Sequence, residues 1–255
     1  MSTPIILVAF GTMSISAQKL YHQFEIEVKS NFPGHKILWA YTAKSLVTRL
    51  KQQGDDAKTL GEVYTIIRTG GFRAAIVQSL HIAPGYQHST IINEDHQGLK
   101  ISFGNTLLET TTDISEVALE LLARFKPNKP IMVVAHGNAS RSYYNSELET
   151  LGTIMSSANS NLHFTCLEGT KNLDALERFK KLVHSEGWVY VCPLFLVPGN
   201  HVIFDILGKH PTSIKSYLAA KNFVCDEVLG QKHWVRNRFL NSISTAKQRL
   251  EAYET

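Results

Sequence analysis

The chain carries one pattern twice, and this internal echo constrains its fold more than any other feature. Ile6-Leu7-Val8-Ala9-Phe10-Gly11-Thr12 aligns with Met132-Val133-Val134-Ala135-His136-Gly137-Asn138. Farther along, AIVQSLHIAPG at Ala75–Gly85 aligns with YVCPLFLVPG at Tyr190–Gly199 on a shared Pro-Gly. A unit repeated within a chain buries its apolar face in the same way at each occurrence. The expectation is two similar halves from an ancient duplication, facing each other across a cleft. Chance likeness between two buried strands is the competing account.

Around the repeated segments, short apolar runs alternate with amphipathic stretches, the pattern of an α/β protein with mainly parallel strands. In the first half, strands are expected at Ile5–Phe10, Ile37–Tyr41, Ala74–Leu80 and Leu99–Phe103. Ile5–Phe10 is apolar throughout, as in a strand covered on both faces. Leu20, Phe24 and Val28 recur every fourth residue, the stripe of a helix that ends near Pro33-Gly34. Further helical patterns occupy Leu46–Leu50 and Leu60–Ile67, and Asp113 with Glu116 forms a candidate capping box for a helix through Phe125. The short, polar, proline-bracketed Pro127–Pro130 marks the boundary. The pattern then restarts with a strand at 131–135, a helix near 144–157, a strand at 162–167, a helix at 172–185 and a strand at 188–194. A last strand is expected near Phe223–Cys225 and a final helix from about His233. The expected fold is α/β, with two lobes at 1–127 and 128–255, each a mainly parallel sheet flanked by helices.

Composition narrows the function classes. The chain has 255 residues, 44% of them hydrophobic, enough for a core in each half. A net charge of +4 with no clustered Lys or Arg argues against a nucleic-acid partner and leaves room for an anionic small molecule. The longest apolar runs, such as Ile131–Ala135, are too short to span a bilayer, so no membrane partner is expected. The N-terminal MSTPIILVAFGT lacks a basic leader region, and Cys166, Cys192 and Cys225 lack CxxC spacing. Both point to a cytoplasmic protein with free thiols. No GxGxxG or GxxxxGK[ST] follows a strand, which disfavours a nucleotide enzyme.

In open parallel sheets, ligands bind just beyond the carboxyl ends of the strands. His136 directly follows one expected strand, Glu168 another, and His201 follows a third and its Pro198-Gly199-Asn200 turn. Two imidazoles and a carboxylate suit a divalent transition metal such as cobalt, nickel, iron or zinc. Taken singly, each has an ordinary reading as a cap or turn residue. The repeat separates the readings for His136, because its duplicate position holds Phe10, so packing there does not require a polar residue. The same comparison singles out His81, whose duplicate is Phe195. Thr12, Ser14, His81 and His88 hold comparable strand-end places in the first half and are candidate ligand-binding residues. For Thr12 and Ser14, capping of the following helix is an equal reading. Lys44, Arg49 and Arg141 are further candidates, although each also fits an ordinary solvated charge.

These residues resemble a known family. LVAFGT (7–12), WAYTAKSLVTRL (39–50), IVQSLHI (76–82), VVAHGN (133–138), LEG (167–169) and PLFLVPGNHVIFDI (193–206) stand in the order and spacing of the anaerobic sirohydrochlorin cobaltochelatases. That family shares the two-lobed class II chelatase fold with ferrochelatase. The resemblance implies a lyase that inserts a divalent metal into sirohydrochlorin or a related tetrapyrrole in cobalamin- or sirohaem-type synthesis. Its metal would be held by His136, Glu168 and His201 in the second lobe. The metal is a substrate, cobalt first with nickel or iron as alternatives, and no organic cofactor is implied. The partner is the tetrapyrrole, and homo-oligomerisation is left open. The chain departs from the family pattern at Ser140, where HGxxH places a second His, at Thr170-Lys171 in place of Tyr-Pro, and at Asn200 in place of Asp. A chelatase for another metal or ring, including one removing iron from haem, and a non-catalytic tetrapyrrole or metal carrier are the alternatives.

Overall fold

The computed structural model describes residues 2–126, 128–169 and 173–252. It contains two four-stranded sheets in which every strand pair is parallel. The first comprises β1 (Ile5–Ala9), β2 (Ile37–Tyr41), β3 (Ala74–Ser79) and β4 (Lys100–Gly104), in the order β2-β1-β3-β4. The second comprises β5 (Ile131–Gly137), β6 (Leu162–Glu168), β7 (Trp188–Pro193) and β8 (Asn222–Cys225), in the order β6-β5-β7-β8. Each sheet starts from an inner strand, steps to one side and then crosses to the other. The halves that echo in sequence thus share one strand order.

The strands form where residues apolar on both faces can be covered by helices. Ile5–Ala9 and Ile131–Ala135 are buried throughout. On one face of the first sheet, Ile6, Val8, Ala75 and Val77 pack with Leu60, Val63, Tyr64 and Ile67 of α3 (Leu60–Thr69). Thr59 and Glu62 close a capping box at the start of that helix. Between β1 and β3 run α1 (Ile15–Asn31) and α2 (Lys44–Gln52), and α4 (Tyr86–Ile92) follows β3. Helix α4 has no counterpart among the expected elements.

The expected capping box at Asp113 and Glu116 is displaced. Helix α5 (Thr111–Leu122) starts earlier, with extended Thr110 as its cap. Thr110 Oγ1 accepts the Asp113 N–H at 3.1 Å, and the Asp113 carboxylate accepts the Thr110 N–H at 3.1 Å. A Thr hydroxyl three residues before an acidic side chain makes this reciprocal pair as readily as Ser-x-x-Glu does.

The chain divides into two compact units, Met1–Leu107 with His233–Thr255, and Leu108–Lys232. This differs from the expected division at 127–130, which lies inside the second unit. The final helix α9 (His233–Ala252) packs on β3 and β4 of the first unit, whereas α5 packs on α6 (Ser146–Ala158) of the second. Each half therefore surrenders its last helix to the other. Phe239 of α9 meets Phe24 of α1 edge-on at 6.1 Å, and the single Nε–H of Arg236 is shared between the two carboxylate oxygens of Glu27 of α1, each at 2.9 Å. Ser102 of β4 donates to the Ala246 carbonyl at 2.7 Å. The second unit is completed by α7 (Leu173–Glu186), α8 (Ile214–Leu218) and a π-helical turn, His201–Ile206. The three cysteines are free, and no helix among the described residues is long and apolar enough to cross a membrane.

Candidate metal centre

The second sheet is longer than the first at its carboxyl edge. Pairing of β1 with β2 ends at Ala9↔Tyr41, but pairing of β5 with β6 continues to Gly137↔Glu168. This extension carries His136 out of the core: Ala135 is buried and His136 is exposed. The closeness of the two strands there depends on Gly137. Its φ is +75°, and a Cβ at that position would stand 2.0 Å from the Glu168 carbonyl oxygen. The tight turn also aims the Gly137 carbonyl back at His136, whose Nδ1 donates to it at 2.7 Å.

His201 arrives from β7. After Pro193 the chain passes Phe195 and the Pro198-Gly199-Asn200 turn and enters the π-helical turn at His201. The Leu207 N–H reaches the Val202 carbonyl at 3.0 Å, closing the wide turn. Leu229 and Gly230 donate to the carbonyls of Phe195 and Leu196 at 2.8 and 2.9 Å, clipping the approach segment in place.

The two imidazoles meet with Nε2 to Nε2 at 3.0 Å, ring centroids 4.5 Å apart and planes at 87°. Phe195 flanks both, nearly parallel to His201 at 6.0 Å and edge-on to His136 at 6.4 Å. Their tautomers follow from their other partners. His136 Nδ1 faces a carbonyl, and His201 Nδ1 faces the Asp205 carboxylate at 2.7 Å. Neither acceptor has a proton to give, so each Nδ1 carries a hydrogen, and in the neutral ring each Nε2 carries a lone pair. Two such nitrogens converging at 3.0 Å are held together by a shared proton or by a cation that lies against both. At metal–nitrogen distances of about 2.0–2.1 Å, this separation corresponds to two donors about 90° apart on one ion.

Glu168 is brought to the same edge, in register with Gly137, and its side chain is exposed. Among the described residues no group of three or more His, Cys, Asp or Glu that could hold a metal ion is formed. The family-pattern departure at Thr170-Lys171 lies outside the described residues.

The first-half candidates occupy the corresponding edge of the first sheet. Thr12 Oγ1 accepts the Ser14 N–H at 3.0 Å, and the Ser14 hydroxyl pairs with Ser16 at 2.9 Å. Ser14 stands at the N-cap position of α1, but its hydroxyl makes no cap hydrogen bond. His88 is buried in α4. His81 Nδ1 lies 3.0 Å from Ser79 Oγ, and its Nε2 is shut off from solvent with no hydrogen-bond partner. Burial, with the nearby His88 adding to it, pulls the His81 pKa from 6.5 down to about 3. Lys44 and Arg49 lie exposed on α2.

Sequence reasoning missed Asp205 and the part played by Phe195. The signal for Asp205 is its spacing four residues after His201. It becomes legible only once that segment is known to be helical.

Comparison with known proteins identifies the family of the chain. The model of the family described as Cobalt chelatase (CbiK) matches residues 3–248. The sirohydrochlorin cobaltochelatase CbiKC of Nitratidesulfovibrio vulgaris is 26% identical over 235 residues, covering 88% of this chain and 82% of that protein. The sirohydrochlorin cobaltochelatase of Salmonella typhimurium is 22% identical over 226 residues, covering 84% of each. The structure of SirB from Bacillus subtilis with Fe3+ superimposes with a TM-score of 0.66 at 14% identity, over 99% of this chain and 98% of that one.

Proposed function

Because the chain belongs to the cobalt chelatase (CbiK) family, and so is a chelatase with cobalt as its substrate metal, we propose that His136 and His201 are the residues that present the ion. The macrocycle is sirohydrochlorin, the substrate named for both curated relatives. The observation that carries this reading is the convergence of two Nε2 lone pairs at 3.0 Å on an exposed edge. Both Nδ1 atoms are already committed to acceptors, so the pair has no other use for those lone pairs than a proton or a metal ion.

Insertion exchanges the two pyrrole N–H protons of the ring for Co2+, releasing two protons. A planar ring hides its nitrogen lone pairs, so peripheral binding energy is spent on distorting it. His136 and His201 hold the ion side by side, leaving the rest of its coordination sphere open to ring nitrogens. Glu168, exposed at the end of β6 in register with Gly137, supplies the third donor. As the ion passes to the ring, the vacated Nε2 atoms are placed to take up the displaced protons, work of the kind that contributes about 10²- to 10⁴-fold.

The test is anaerobic cobalt insertion into sirohydrochlorin, followed by absorbance against a no-enzyme control. His136→Ala and His201→Ala are each expected to lose about 10²-fold or more of the catalysed rate with the fold intact. Glu168→Gln, which keeps shape without charge, is expected to weaken cobalt use. Near wild-type insertion by both histidine variants would overturn the assignment.

A further inference from the structure

We propose that Asp205 is a positioning residue for metal capture: it holds the His201 imidazole in the orientation and tautomer that present Nε2 to the ion. The proposal rests on the reading of His136 and His201 as the metal donors. Asp205 Oδ2 lies 2.7 Å from His201 Nδ1, within the range of a charge-assisted hydrogen bond. A carboxylate can only accept, so this contact keeps the hydrogen on Nδ1 and the lone pair on Nε2, which lies 3.0 Å from His136 Nε2.

The backbone is built to make this contact. His201 and Asp205 sit on one π-helical turn, and in this wider turn residues four apart lie nearly one above the other. Short π-helical segments are uncommon and concentrate where a side chain must be placed for a task. Fold stability does not explain the pair. The side chains are 40% and 53% exposed, and exposed ion pairs contribute little. The neighbouring imidazole is backed differently, because His136 Nδ1 donates to the neutral carbonyl of Gly137. A side-chain acceptor behind the ring fixes which way the His201 lone pair points.

The experiment compares wild type, Asp205→Ala, Asp205→Asn and His201→Ala. Co2+ binding to each protein alone is measured by titration calorimetry, and the KM for Co2+ and kcat in the insertion assay. Asp205→Ala is expected to weaken cobalt binding, and raise its KM, about 10- to 100-fold, with kcat at saturating cobalt little changed. Asp205→Asn keeps an oxygen that can accept the Nδ1 hydrogen and is expected to restore most of the affinity. Wild-type affinity in Asp205→Ala beside lost affinity in His201→Ala would overturn the positioning role and leave the histidine reading standing. Asp205→Asn as weak as Asp205→Ala would also overturn it, since the carboxylate would then act other than by holding the ring. Unchanged affinity in His201→Ala would overturn the reading on which the proposal rests.

Discussion

His81 and Phe195 occupy the same place in the two halves, and the difference between them is a matter of surroundings as much as residue type. Phe195 lies beside the His136–His201 pair, whereas the Nε2 of His81 is closed off from solvent and has no hydrogen-bond partner. With its pKa pulled from 6.5 down to about 3, folded His81 stays neutral while the unfolded chain takes up a proton below about 6.5. The group therefore withdraws stability as pH falls from about 6.5 toward 3, at about 1.4 kcal/mol per pH unit. His81→Phe, which installs the residue of the other half, is expected to abolish this term. Urea unfolding at pH 7 and pH 5 should show the wild type losing about 2 kcal/mol more than the variant. Equal losses would show that His81 titrates as it does in water. The repeat comparison found His81 as a residue not required for packing. Its neutral state could not be read from sequence, because desolvation depends on every segment that closes over the ring.

The strands and main helices are legible because apolar runs and fourth-residue stripes report local periodicity. The glycine after each repeated strand is legible too, as AFG and AHG, and the structure supplies its reason. Gly11 has φ +100° and Gly137 φ +75°, a region other residues enter only with strain. At Gly11 a Cβ would stand 2.4 Å from a Leu46 side-chain methyl, a flexible end, whereas at Gly137 it would strike the Glu168 backbone. Gly137→Ala must therefore force β5 and β6 apart where they carry His136 and Glu168. Backbone strain of about 1–3 kcal/mol is expected, together with a disproportionate loss of cobalt affinity as the carbonyl behind His136 turns away. A melting curve and a cobalt titration on the same variant check this, and unchanged affinity would show that the carbonyl does not hold the ring. The π-helical turn was not legible. HVIFDI has no cap and no periodicity of its own, and an isolated turn of this kind forms because the packed ends on either side hold it.

At the scale of the molecule, the exchange of terminal helices sets what can fold alone. A fragment ending at the proline-bracketed linker, residues 1–127, keeps α5 of the second unit and lacks α9, which covers β3 and β4. It loses the edge contact of Phe239 with Phe24, the Arg236–Glu27 pair and the hydrogen bond that Ser102 donates to the Ala246 carbonyl. Such a fragment is expected to show no cooperative unfolding transition, and circular dichroism through a thermal melt decides the point. A sharp native-like melt would mean that α9 is dispensable to the first unit. The sequence by itself determined the class of fold, the four parallel strands of each half, and the two histidines that echo apolar or strand-end positions, because these follow from periodicity and from comparing the chain with itself. Tertiary structure alone decided which helix covers which sheet, that His136 and His201 meet through Nε2, and that Asp205 backs His201. Those outcomes depend on distances between segments far apart along the chain, which local pattern does not encode.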